Sequence, residues 1–227
     1  METVFKSVVA AASVLFGLAS AATQPAALPH NYRVRFENDW VKVTAVRYEP
    51  KETIAGHAHT PNPSAYVYLN DGPPVVFKHV GGKPASRPAT KAGAFRLYKG
   101  LEEIHEVENT GDAPSEFLRV ELKTVPVDQA MFWGKHERPA MASREPVVHF
   151  NHSQLRVSRL WLQPQQQIDV ATTSDPALII ALADGAGLRR GETRWVDAAS
   201  SSRFKNASPA ALDLLRFDFR TRPRDTR

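Results

Sequence analysis

The sequence predicts an all-β protein built from two copies of one β unit, and three observations carry the prediction. Short β-branched and aromatic runs recur from Val34 onward, separated by turn-forming residues. No stretch of that region keeps a helical period over four turns. The third observation is an internal repeat. Val34-Arg35-Phe36 matches Val148-His149-Phe150, Val41-Lys42-Val43-Thr44 matches Leu155-Arg156-Val157-Ser158, and Tyr48-Glu49-Pro50 matches Leu162-Gln163-Pro164, all at an offset of 114 positions.

The chain's 227 residues suffice for one large all-β domain or two small ones. Its first 21 residues stand apart from the rest. Lys6 precedes an apolar run over residues 8–19, interrupted only by Ser13 and Gly17, and Ala19-Ser20-Ala21 supplies a small-x-small cleavage pattern. The run is shorter than the roughly twenty residues a membrane helix needs. A signal peptide over residues 1–21 is therefore expected, with a periplasmic or secreted mature chain that has no integral membrane segment. Residues 24–29, rich in Pro and Ala, read as linker.

Cysteine is absent, which excludes disulfides, thiolate metal ligands and a cysteine nucleophile. The net charge is +5, with much of the excess in Arg189-Arg190 and in the Arg-rich tail from Arg220 to Arg227. Without interleaved aromatic and basic residues this pattern does not indicate nucleic-acid binding, and a solvated terminus accounts for the tail.

The strands follow in order. Runs at 40–48, 66–69, 75–80, 95–98 and 117–122 are divided by Asn70-Asp71-Gly72-Pro73-Pro74, Gly81-Gly82-Lys83-Pro84 and Asn109-Thr110-Gly111-Asp112. In the last run Leu118, Val120 and Leu122 alternate with Arg119 and Glu121, which predicts an apolar face turned inward and a charged face turned outward. Past one deleted residue the repeat resumes. The run Tyr66-Val67-Tyr68-Leu69-Asn70-Asp71-Gly72 matches Ile179-Ile180-Ala181-Leu182-Ala183-Asp184-Gly185, and 117–122 matches 214–219. The predicted organisation is a first unit at 31–125, a connector at 126–146 that holds Met131-Phe132-Trp133 without readable chemistry, and a second unit at 147–222.

The chemistry concentrates in Gly56-His57-Ala58-His59 and in His105. On a strand, residues i and i+2 share a face, so His57 and His59 can aim into one cavity. A third imidazole from His105 would complete a three-nitrogen metal site with open coordination positions. The second copy places Ala171 and Thr173 opposite the pair at the offset of 114, and Ser202 or Arg203 opposite His105 depending on a one-residue choice of register, so it carries none of these ligands. Asn109 reads as a turn residue, and His79 as an ordinary strand residue. Tyr66 and Tyr68 share a face that either lines the cavity or packs elsewhere. Gly185-Ala186-Gly187 lacks the helix of a nucleotide loop, and no Ser-His-Asp arrangement is evident.

These motifs resemble the cupin superfamily. Gly56-His57-Ala58-His59 with the closing Gly72 is similar to the first cupin motif. Gly93, Lys99-Gly100 and the ending His105…Asn109 are similar to the second. The Leu69 to Gly72 turn and the Val120 to Lys123 strand look most like small bacterial cupins. The resemblance implies two conical β-barrel, jelly-roll units, a bicupin, with the second degenerate and metal-less. It further implies a divalent metal on His57, His59 and His105, with Fe, Mn, Zn, Ni and Cu all compatible with imidazole. The glutamate of the first motif is missing, since Pro63 and Ser64 stand at its place. That leaves three histidines, as in the cysteine-dioxygenase-like branch. Glu103 has the parity to substitute but is expected in the turn before the strand, while Glu106 and Glu108 point away. The expected function is metal-dependent action on a small organic acid, of oxygenase or isomerase type. The alternative is a non-catalytic barrel that binds a small molecule or sugar. The sequence leaves the oligomeric state open.

Overall fold

The computed structural model describes residues 28–225, so the signal-peptide expectation lies outside the described residues. Those residues form seventeen strands and one 3-10 turn at Gln129–Met131. The first half contributes β1 (Tyr32–Glu37), β2 (Val41–Tyr48), β3 (Thr53–His59), β4 (Ser64–Tyr68), β5 (Val75–His79), β6 (Ala85–Arg87), β7 (Phe95–Tyr98), β8 (Glu103–Asn109) and β9 (Ser115–Leu122). After β10 (Gly134–His136) come β11 (Val147–Asn151), β12 (Leu155–Leu162), β13 (Gln167–Ala171), β14 (Ala177–Ala181), β15 (Thr193–Val196), β16 (Ser201–Lys205) and β17 (Leu212–Phe219). The fold is all-β and built of jelly-roll sheets, as predicted.

The repeat is visible in the topology. One sheet runs β1-β2-β9-β4-β7-β10 and its counterpart runs β11-β12-β17-β14-β15; the smaller sheets are β3-β8-β5-β6 and β13-β16. Irregularities recur as well. The β1–β2 register slips between Val34 and Phe36, and the β11–β12 register slips between Val148 and Phe150, at the same offset. Lys51 and Gln165 both take positive φ. Asn109 Nδ2 donates to the carbonyls of Glu49 and Ala113, while Asn206 Nδ2 donates to those of Leu162 and Ala210. Asn109 is thus a turn residue, and the second copy repeats its turn.

The two large sheets pack face to face through a core that takes Val43, Val67, Leu118 and Val120 from one and Val157, Ile180, Leu215 and Phe217 from the other. This corrects the expected facing of β9. Its alternation is as read, but both faces are covered. Leu118, Val120 and Leu122 enter the inter-sheet core, while Phe117, Arg119 and Glu121 face the small sheet and are buried there. A strand central to a two-layered arrangement has no outward face.

What lies between the large and small sheets differs between the copies. In the second it is apolar and filled, by Leu160, Val170, Ile179, Phe204 and Leu214 among others. In the first it is lined by tyrosines, histidines and arginines around a cavity.

Candidate metal centre

The three predicted histidines come together. His57 and His59 sit on β3, and His105 sits directly opposite His57 on β8. One nitrogen from each lies within 4.8 Å of the others, and the ring centroids are 4.7 to 5.1 Å apart. A bulge in β3 places them. Ile54 pairs with Val107 and His57 with His105, so three residues of β3 span two of β8. Without the extra residue, buried Ile54 and buried His57 could not share a face at an odd spacing. Gly56 lies in the bulge, where a Cβ would meet nothing within 4 Å. The His57 Nδ1–H donates to the Ala55 carbonyl at 2.9 Å, which presents Nε2 to the site.

The same register corrects the assignment of counterparts in the second copy. Ile168 pairs with Phe204 and Val170 with Ser202, without a bulge. Val170 therefore stands where His57 does, Thr172 where His59 does, and Ser202 where His105 does; the Thr172 N–H donates to Ser200. The residue missing from the second copy is the bulge residue itself.

His105 is the best-prepared ligand. Its Nδ1–H donates to Glu103 Oε2 at 3.0 Å, and its Nε2 is buried without a partner. A carboxylate behind a histidine fixes the tautomer that offers a bare Nε2 lone pair, which is how metal-ligating histidines are usually supported. Glu103 is the first residue of β8 and not part of the preceding turn. It also accepts hydrogen bonds from His79 Nε2 at 3.0 Å and from the Tyr98 hydroxyl. Burial alone would raise its pKa, but the hydrogen bonds from His105, Tyr98 and His79 outweigh it and hold Glu103 down at about 2. His79, Glu103 and His105 form a second compact group with ligand atoms within 4.8 Å of one another. His79 thus belongs to the site, contrary to its reading as an ordinary strand residue.

Protein donors meet the other two histidines. The Tyr32 hydroxyl, itself 2.7 Å from the Tyr48 hydroxyl, donates to His57 Nε2 at 2.8 Å. Arg119 Nη1 donates to His59 Nδ1. Because a guanidinium only donates, His59 in this arrangement carries its proton on Nε2. Burial first, and then the Arg119 charge, pulls the His59 imidazole down to about 2, and burial lowers His57 as well. Both are neutral near pH 7, the state a metal requires. The donor set fits a divalent ion with one adjustment, the withdrawal of Tyr32 and Arg119.

His59 and His105, together with His79, open onto a cavity of about 300 Å³. Tyr66 and Tyr68 line it together, as their shared face allowed, with Phe77, Tyr98 and Phe117. Burial raises the pKa of Tyr66, Tyr68 and Tyr98, so these side chains stay phenols. Trp133, from the stretch between the repeats, lies at the cavity with the Arg96 guanidinium 4.9 Å from its ring. That stretch adds β10 to the sheet beside β7 and buries Phe132 in the inter-sheet core. Arg119, Arg96 and Trp133 escaped sequence reading. Only the position of Arg119 beside Tyr66 on neighbouring strands would have marked it, and that register is a tertiary fact.

No protein-family model matches the sequence, and no curated protein matches it. Solved structures do share the fold. Salicylate 1,2-dioxygenase from Pseudaminobacter salicylatoxidans is 12% identical with a TM-score of 0.54, over 80% of this chain and 71% of that one. AerE from Microcystis aeruginosa is 9% identical with a TM-score of 0.57, over 86% and 96%. Vicilin from Corylus avellana is 10% identical with a TM-score of 0.55, over 85% and 84%. The sheets, the repeat and these likenesses define a protein of the cupin fold. The histidine group makes its first unit competent to hold a divalent metal in general. Among the described residues no helix is long and apolar enough to cross a membrane.

Proposed function

We propose that this is an exported bicupin whose first unit, residues 31–125, holds a divalent transition metal on His57, His59 and His105 and acts there on a small organic acid. The second unit, 147–222, serves as scaffold. The observation that carries the reading is His105, with Nδ1 fixed by Glu103 and Nε2 buried and bare. The likeness to a dioxygenase is consistent with an oxygenase-type reaction, and an isomerase-type reaction fits the same site. Export rests on the residue 1–21 pattern alone.

A bound divalent ion with three neutral ligands would retain its full charge and act as a Lewis acid toward an anionic ligand. The chain's own residues do the rest. Glu103 orients His105 and holds the protons of Tyr98 and His79 in its hydrogen bonds. The aromatic wall keeps bulk water from the site. Arg119 supplies a positive charge beside His59 for the polar group that the ligand presents there.

The test is metal content. Protein from its native compartment should carry close to one metal per chain, and the His57→Ala, His59→Ala double variant should carry almost none. Equal content in the two sinks the assignment. A second reading, a non-catalytic barrel that binds a small molecule or sugar, is favoured by one observation: Tyr32 and Arg119 already satisfy His57 and His59. Metal-free protein that binds its ligand and consumes no oxygen with any small acid would select it.

A further inference from the structure

The geometry points to Arg87 as an anion receptor at the end of the cavity remote from the histidines, so that the ligand is an elongated, flat organic anion. This inference shares with the proposed function only the placement of the ligand in that cavity. Arg87 ends β6, lines the cavity and is 6% exposed. Its Nη2 donates to Ser115 Oγ at 2.8 Å, and its Nε has no partner. The other buried arginines have acids: Arg119 lies 3.5 Å from Glu121 and Arg159 lies 2.9 Å from Asp213. No carboxylate pairs with Arg87 among the described residues. A guanidinium does not deprotonate, so this charge is buried without a counter-ion.

What surrounds Arg87 suits a planar anion. The rings of Tyr68 and Phe117 lie 5.3 and 5.6 Å from its Cζ and only 6.2 Å from each other, so both pack to one side of the guanidinium, and its unpartnered Nε–H remains for a carboxylate. Across the whole cavity three arginines, Arg87, Arg96 and Arg119, stand against one carboxylate, Glu103. The strand register sets the length. Arg87 pairs with Val75 on β5, while His79 on β5 pairs with His105. Those two rows are four residues apart, about 13 Å along the strand. With the arginine and imidazole side chains reaching inward, the remaining span takes one planar ring with a group at each end. The acid group then sits on Arg87 and the opposite substituent faces the histidines, rather than the acid group facing them.

Metal-free protein provides the test, with binding of 4-hydroxybenzoate and of its neutral analogue 4-hydroxybenzamide measured by titration calorimetry. The acid should bind at least about ten-fold tighter than the amide. Arg87→Gln should remove that preference with the unfolding temperature as a check on folding, and Arg87→Lys should retain part of it. Equal affinity for the two probes, binding of neither, or a preference that survives in Arg87→Gln overturns the inference. The same preference should persist in the His57→Ala, His59→Ala variant. If it appears only with added metal and vanishes in that variant, the acid group sits at the histidines and the inference is wrong. If the double variant loses no metal but keeps the preference, the metal assignment fails while this one stands.

Discussion

Two of the candidate ligands titrate below a free imidazole. His59, at about 2, and His57, shifted in the same direction, stay neutral in the folded chain while their unfolded counterparts protonate near 6.5. Below pH 6.5 the unfolded state therefore binds more protons, and stability that is fully present above that pH is lost as the pH falls. Well below pH 6.5, His59 contributes a slope of about 1.4 kcal/mol per pH unit, and His57 adds to it in the same direction. Glu103 adds a further loss below about 4.5, because its folded-state value is also depressed. Urea midpoints of metal-free protein should fall steadily from pH 7 to pH 5, and His59→Gln should flatten the profile. A wild-type midpoint that does not move over that range would show that His59 is not held neutral. At this scale the histidines were legible, because a His-x-His pair and a distant third His are a chemical pattern in the chain itself. Arg119 was not, because a charged residue on an alternating strand looks the same whether its face meets water or a cavity.

The element that distinguishes the two copies is the bulge in β3. It sets His57 against His105 and gives the His57 Nδ1–H a carbonyl two residues back. The second copy shows that the sheet closes without it. Deletion of Gly56 should therefore leave the fold intact, and His57 should still face inward opposite His105. The support from the Ala55 carbonyl would be lost, however, and removing such a partner weakens metal binding by about 10- to 100-fold. Metal titration beside a thermal melt would check both halves; unchanged affinity would mean the bulge does not shape the site. The deletion in the repeat could be seen in the sequence, but its position could not. Apolar matching locates a gap only to within a loop, whereas hydrogen-bond register locates it to a residue.

At the scale of the whole molecule, one buried ion pair ties the parts together. Arg159, fully buried on β12, donates from Nη1 to Asp213 Oδ1 and Oδ2 at 3.1 and 2.9 Å. Its Nη2 donates to the carbonyl of Gly93 in the first half, and Arg138 from the connecting stretch donates to Asp213 Oδ2 at 2.7 Å. Gly93 has φ +79, and a Cβ there would approach Arg138 Cδ to 2.7 Å, so the close approach needs glycine. Asp213→Ala should destabilise the protein by about 3–5 kcal/mol, because it strands a buried guanidinium. Equilibrium unfolding would measure this, and a change under 1 kcal/mol would show that the pair is not a staple. The variant should also melt both halves together, since the inter-sheet core joins them.

The all-β class, the doubled unit, the turn at Asn109 and the pattern of three histidines could all be read along the chain. Each of these is written in local periodicity, composition or direct self-similarity. The packed sheets were needed to show that both faces of β9 are interior, where the repeat lost its residue, and that His79, Glu103, Arg87, Arg96 and Trp133 meet His59 and His105 around one cavity. Those facts depend on the register between strands far apart in the chain, and register is set by how whole sheets pack, which no single segment encodes.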